Sequence, residues 1–377
     1  MVPAKVINGV EIAGAIRAVC HQQVKRLEAQ YGITPGLAVI LVGADSASRL
    51  YVRNKARACV EVGIRSFRFE FAADTDPGIV IDKIAELNAD PAVHGVLVQL
   101  PLPPQFKLAR VLSAISADKD VDGFHLYNVG GLVIGDTVFP PCTPYGVVKL
   151  LEHESIELEG KNVVVVGASN IVGKPMALML MQHDATVCIC HAKTRDLAQF
   201  TLLADILVVA AGQPNLILPQ MVRTGSVVID VGINRLPDGR LVGDVDFEGV
   251  RRKASHITPV PGGVGPMTVT MLLVNTIASA ERAAALRLAP QGRLPPRWPG
   301  PHRDELKLNR TRRSRRHTGS NQDRAQRSGS SSQAGRSCPL TPSKAPATSS
   351  ATNSRPGSTG PGMVICPFGI TAKPLAA

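Results

Sequence analysis

Through residues 1–284, short runs of β-branched and other apolar residues alternate with segments whose apolar positions recur every three to four residues. A parallel α/β protein has this pattern, because each buried strand needs a helical crossover before the next parallel strand. Strands are expected at 36–43 (GLAVILVG), 94–103 (HGVLVQLPLP), 162–169 (NVVVVGAS), 186–190 (TVCIC), 206–212 (ILVVAAG) and 226–232 (SVVIDVG). Helical periodicity lies between them, as in DPGIVIDKIAELNAD and GKPMALMLMQHD. RLPDGRLVG, at 235–243, sets an Asp-Gly turn between two extended arms, which is a hairpin signal.

The pattern also divides. PPCTPYGVVKLLEHE (140–154) carries prolines, a helix start and then a polar loop, and reads as a connection into a second domain. After a loop rich in glycine and proline, the apolar run 267–288 (MTVTMLLVNTIASAERAAALRL) predicts a long helix placed to run back onto the first domain. The fold expected is therefore α/β with two domains and a tail. An N-terminal substrate domain, 1–140, is completed by the returning helix 267–288, and a Rossmann-like nucleotide domain occupies 141–266. The tail, 290–377, has no apolar period and is rich in Arg, Ser, Gln and Gly; too little of it can be buried to offset ordering entropy, so disorder is expected.

Charge changes the picture only once it is located. The 377 residues carry a net charge of +12, which taken alone suggests a nucleic-acid or membrane partner. From residue 285 onward there are 16 Lys and Arg against 3 Asp and Glu, whereas residues 1–284 hold 26 basic and 27 acidic side chains. The basicity belongs to the tail, and the part expected to fold is nearly neutral. The tail lacks interleaved aromatics, so no specific nucleic-acid partner is expected. No apolar run is long enough for a membrane helix, and the start reads as a strand followed by an amphipathic helix rather than a signal peptide. Seven scattered cysteines make no disulfide framework, which suits a reducing cytoplasm.

Candidate chemistry then appears at four places. In SRLYVRNKARA, Tyr51 and Lys55 stand four residues apart in a helical run and so share a face; alone, such a lysine is a solvated surface charge. NVVVVGASNIVGKP is a strand, a tight turn at Gly167 and a helix starting near Val172, suited to cradling a pyrophosphate. Ser169 stands where the usual G-x-G-x-x-G has its middle glycine. The next strand ends in His191, Ala192, Lys193 and Thr194, with no acid at its tip, which favours NADP over NAD. PVPGGVGP (259–266) precedes the long helix and suits close backbone approach to a ligand. Cys188, Cys190 and His191 sit on and beside a strand with no second ligand cluster, so no metal is expected.

Five motifs in order, YVRNK (51–55), VQLPLP (98–103), KDVDGFH (119–125), GASNIVGKP (167–175) and TPVPGGVGPMT (258–268), closely resemble the bifunctional methylenetetrahydrofolate dehydrogenase/cyclohydrolase family, over residues 1 to about 284. The resemblance implies oxidation of methylenetetrahydrofolate by NADP, then hydrolysis of the methenyl product to 10-formyltetrahydrofolate. It also implies a homodimer formed through the cofactor domain, in the cytoplasm and within one-carbon metabolism leading to purine biosynthesis. By matching position, Lys55 is the catalytic lysine, Tyr51 the aromatic that stacks on the folate, Gln99 the residue that positions the lysine and Asp122 the carboxylate that holds the pterin. Val52, Val98, Leu100 and the loop Pro261, Gly262, Gly263, Val264 and Gly265 are implied to contact the folate. Gly167, Ala168, Ser169, Lys193 and Ile233 are implied to contact the cofactor. The chain departs from the commoner pattern at Ala192, where many members have serine, and in the tail, which has no family counterpart.

Three other readings compete. Short-chain dehydrogenases also use Tyr-x-x-x-Lys, but their nucleotide loop precedes that pair, whereas Gly167 follows Lys55. A monofunctional dehydrogenase or cyclohydrolase of the same fold is closer; retention of both the lysine and the cofactor loop favours two activities. An RNA-binding protein acting through its basic tail is the non-enzyme alternative.

Overall fold

The computed structural model describes residues 3–43 and 45–288. The expected disordered tail, 290–377, lies outside the described residues. From the N-terminus the elements are β1 (Lys5–Val6), α1 (Gly9–Tyr31), β2 (Gly36–Val42), α2 (Ser46–Val62), β3 (Arg65–Phe71), α3 (Pro77–Ala89) and β4 (Gly95–Val98). Helices α4 (Leu108–Ala114), α5 (Leu126–Ile134) and α6 (Cys142–His153) lead to β5 (Asn162–Val166), α7 (Gly173–Met181) and β6 (Thr186–Cys190). Then come α8 (Leu197–Thr201), β7 (Ile206–Val209), β8 (Val227–Asp230), β9 (Asn234–Arg235) and β10 (Leu241–Val242). The described chain closes with α9 (Phe247–Arg251), β11 (His256–Ile257) and α10 (Val264–Leu288).

Two parallel sheets result. The smaller has the order β3-β2-β4 and the larger β1-β11-β8-β7-β5-β6. Every residue of β2 is buried, as a central strand covered on both faces must be. Counted from β5, the larger sheet runs 2-1-3-4-5, the doubly wound order whose ligand crevice opens at the carboxyl ends of its first and third strands, here β5 and β7. A sixth strand, β1, is contributed by the N-terminus of the chain and pairs with β11, Lys5 against His256.

Side-chain chemistry explains the local choices. The Asp45 carboxylate caps α2 by accepting from the Ser48 N–H at 2.7 Å, and Gly63 ends the helix in the left-handed region. Helix α10 packs against α1 and α6 and reaches α2, β2 and β4, so it returns to the smaller sheet. Its apolar side chains join one continuous core that includes β2 and β4 on one side and β5, β7 and β8 on the other.

Several elements differ from the sequence reading. β4 stops at Val98, shorter than the expected 94–103; the Gln99 N–H still bonds the Ile40 carbonyl at 2.9 Å before the chain turns into LPLP. α10 begins at Val264, three residues earlier than expected, and α7 begins at Gly173. β3 is not among the expected strands, although RSFRFEF alternates exposed Arg68 and Glu70 with half-buried Phe67, Phe69 and Phe71; it lies at the sheet edge. The 140–154 stretch is chiefly helix, α6, and most of it is buried. The hairpin is present as β9 and β10, paired antiparallel with Leu241 opposite Arg235.

Candidate active site

Helix α2 turns Leu50, Tyr51, Asn54, Arg57, Ala58 and Glu61 to a cleft of about 870 Å³. The facing wall comprises Asp230 to Ile233, Arg235 and Leu241 from the larger lobe, with Pro259 to Pro266 leading into α10. Tyr51 and Ile233 therefore share one cleft with Pro261, Gly262, Gly263, Val264 and Gly265, although they are far apart in sequence. A side chain at Gly265 would meet Ile233 Cδ1 at 3.6 Å, so the loop and the strand end approach closely.

Lys55 lies one turn along from Tyr51 but behind the cleft wall, only 8% exposed. Its amine donates to Gln99 Oε1 at 3.0 Å, and Gln99 Nε2 donates to the Leu100 carbonyl at 2.8 Å. The amide is thus held from both ends, and its oxygen is presented to the lysine. Burial lowers the Lys55 pKa, and the negative charge of Asp122 opposes that shift. Burial likewise raises Asp122, and Lys55 pulls it back. Burial thus pushes both groups toward their neutral forms, while the charge of each opposes that shift in the other.

Two further residues complete this cluster. Cys142, at the first position of α6, is buried and its Sγ donates to the Val121 carbonyl at 3.3 Å; burial and the nearby Asp122 charge raise its thiol well above the usual range. Its place in PPCTP had read only as part of a connection. Asp120 is buried and accepts from His125 N at 2.7 Å and Asn128 Nδ2 at 2.8 Å, fixing the turn that carries Asp122. The repeated acid in DVD, with His and Asn following, was the available signal. Val52 and Val98 point into cores on opposite faces of the smaller sheet, and Leu100 is half-buried after the bend.

The nucleotide loop stands at the crevice of the larger sheet. Gly167 has φ +119°, and a Cβ there would sit 2.1 Å from the Ala210 carbonyl oxygen. A Cβ on Gly173 would sit 1.9 Å from the Gly167 oxygen. Only glycine fits at either position, and the turn packs directly onto the start of α7. Ser169 Oγ accepts from Val172 N at 3.1 Å and Gly173 N at 3.3 Å, so the residue replacing the middle glycine ties the loop to the start of α7. Ala168 lies between these two turns. At the end of β6, His191, Ala192 and Lys193 are exposed; His191 Nδ1 accepts from Lys193 N at 3.1 Å, and no carboxylate lies between 191 and 195. Backbone donors in a glycine turn and a cationic strand tip fit a dinucleotide carrying an extra phosphate.

A doubly wound nucleotide lobe, joined through one core to a lobe with a buried lysine–carboxylate cluster, defines a two-domain dinucleotide-dependent α/β enzyme. Residues 7–122 match the catalytic-domain model of tetrahydrofolate dehydrogenase/cyclohydrolase, and residues 141–284 match its NAD(P)-binding domain model. The chain belongs to the tetrahydrofolate dehydrogenase/cyclohydrolase family. It is 58% identical over 282 residues to the bifunctional protein FolD of Nitrosospira multiformis, covering 75% of this chain and 98% of that protein. Among solved structures, the bifunctional FolD enzyme of Campylobacter jejuni is 50% identical with a TM-score of 0.72, over 74% of this chain and 99% of that one. The Trypanosoma brucei enzyme, complexed with NADP cofactor and inhibitor, is 41% identical with a TM-score of 0.73, over 76% and 100%.

Proposed function

We infer that the chain catalyses two successive reactions on one-carbon folates: NADP-dependent oxidation of methylenetetrahydrofolate, and hydrolysis of the methenyl product to 10-formyltetrahydrofolate. The observation that carries the residue assignment is the buried Lys55 amine, bonded to Gln99 and coupled to Asp122, directly behind the Tyr51 wall of the cleft. Tyr51 offers a flat face on which the folate ring stacks. Asp122 accepts from the N–H edge of the pterin and fixes its register.

NADP, when bound, supplies the hydride acceptor. Gly167, Ala168 and Ser169 hold the dinucleotide at the head of α7, Lys193 meets its 2′-phosphate, and Ile233 packs beside the loop that closes on the folate. For hydrolysis, water oxygen bonds to the methenyl carbon and loses a proton to the neutral Lys55 amine. The C–N5 bond then breaks as N5 gains a proton from the Lys55 ammonium and the hydroxyl proton leaves, giving the formyl group and one proton released. Gln99 keeps the amine pointed at the reacting carbon throughout.

A homodimer through the cofactor lobe is supported by β6, a sheet-edge strand whose Ile189 is 39% exposed; sedimentation at monomer mass would remove it. Cytoplasmic residence is supported by five free cysteines among the described residues; secretion of the native chain would remove that. The catalytic reading is tested by assaying both reactions in the full chain and in a chain ending after Leu288, the last residue of α10. Both activities should survive the truncation. Loss of either would return function to the tail, and absence of one from the full chain would leave a monofunctional enzyme.

A further inference from the structure

Helix α10 is apolar along most of its length, yet Thr268, Asn275, Ser279 and Arg282 follow one another at helical spacing and form a polar seam. Thr268 Oγ1 lies 3.0 Å from Thr143 Oγ1. Ser279 Oγ donates to the carbonyls of His94 at 2.6 Å and Asp118 at 2.9 Å, and Arg282 approaches the Asp118 carboxylate at 3.8 Å. The seam thus fastens the segments on either side of the Asp122 turn.

Asn275 stands at its centre, 2% exposed. Its Nδ2 donates to the Val121 carbonyl at 2.9 Å and the Pro140 carbonyl at 3.0 Å, and lies 3.7 Å from Cys142 Sγ. An asparagine is a poor choice inside a helix, and these bonds are what keep its buried amide satisfied. The groups it holds bracket the cluster described above. Val121 immediately precedes Asp122, and Cys142 Sγ donates to the same Val121 carbonyl at 3.3 Å. On the other side, a Cβ on Gly123 would lie 2.7 Å from Pro141 N and 2.8 Å from the Phe139 oxygen, so these backbones are already at closest approach.

We propose that Asn275 is a positioning residue for Asp122: it locks the Val121 backbone to the start of α6, so that the carboxylate keeps its register with Lys55 and with the folate. Asn275 touches no reacting atom. Its helix also begins at Val264, inside the cleft loop, so about 16 Å of rigid helix connects that loop to the clamp. This inference rests on the role assigned to Asp122 above.

The test compares Asn275→Ala, Asn275→Asp, Ser279→Ala and Asp122→Asn in the full chain, reading dehydrogenase kcat/KM for the folate, KM for NADP and the thermal midpoint. Asn275→Ala should lower folate kcat/KM by about 10- to 100-fold, up to the scale of a misplaced group, with KM for NADP within about twofold. Asn275→Asp, which puts an acceptor against two carbonyls, should lose at least as much. Ser279→Ala should lower the thermal midpoint while keeping folate kcat/KM near native. Native kcat/KM in Asn275→Ala beside an impaired Asp122→Asn would overturn the clamp alone. An equal loss in Ser279→Ala, or failure of both Asn275 variants to bind NADP, would leave Asn275 a folding residue and also overturn it. Native activity in Asp122→Asn would overturn the assignment of Asp122, and the clamp with it.

Discussion

The folate-side cluster and the nucleotide loop solve binding by opposite means. Around Lys55 the chain buries ionisable side chains, and their chemistry comes from what burial does to them: a lysine lowered, a carboxylate raised, and an amide that points one at the other. Around Gly167 the buried ionisable groups, Asp244 and Asp230, are spent on backbone: Asp244 accepts from the N–H groups of Ala211, Gly212 and Gln213. The loop works through backbone N–H groups and through the absence of side chains, with Ser169 spending its hydroxyl on the helix start. Placing charge inside a protein requires a surrounding network, so the first site draws on α2, the end of β4, the Asp122 turn, α6 and α10. The glycine turn draws on its own strand and helix and on the ends of the two strands beside it, β6 and β7. The first site is consequently spread over most of the chain, and the second gathers consecutive elements, β5 to β7.

The largest expected effect falls on the buried cluster. Lys55→Met keeps most of the stem and removes the amine, so cyclohydrolase activity should fall roughly 100-fold or more, dehydrogenase activity should fall less, and NADP affinity should hold. Native hydrolysis in the folded variant would return the lysine to an inert buried charge.

Gly173→Ala should produce the reverse pattern. The new Cβ must push the Gly167 carbonyl away, at a cost of about 1–3 kcal/mol for forcing atoms into a packed site. KM for NADP should rise about tenfold, while hydrolysis of added methenyl substrate, which needs no cofactor, stays within about twofold. If both activities fall together, the two regions are less independent than their construction implies.

The smallest effect is expected at the exposed tip of β6. Ala192→Asp should reduce NADP use more than NAD use, by roughly 1 kcal/mol or a few-fold, since the repulsion acts in high dielectric. Equal kinetics with the two coenzymes in the native chain would contradict the NADP preference read from the acid-free tip.

What could be read in advance follows this division. Gly167, the turn and the helix behind it stand within a dozen residues, so the strand–glycine–helix pattern displayed the nucleotide loop directly, and the missing acid after β6 lay one element further on. The alternating apolar runs gave the doubly wound class and the returning helix because burial periodicity is a local property of the chain. Tyr51 and Lys55 were visible as a pair on a helix, but whether the lysine is solvated or buried is not a property of that helix: it depends on Gln99 arriving from β4 and Asp122 from the turn beyond. β3 was overlooked although RSFRFEF alternates phenylalanine with charge; a half-buried edge strand carries charged residues where the central strands are apolar throughout. Cys142 and Asn275 were missed because a thiol in a proline-rich connection and an amide in an apolar helix carry no signal until the elements pack. By itself, the sequence determined which segments become strands, helices and glycine turns, since these follow from short-range sterics and periodic burial. Only the tertiary structure decided which polar side chains would be stripped of water together, because desolvation and hydrogen bonding over more than a hundred residues of separation exist only once the core has closed.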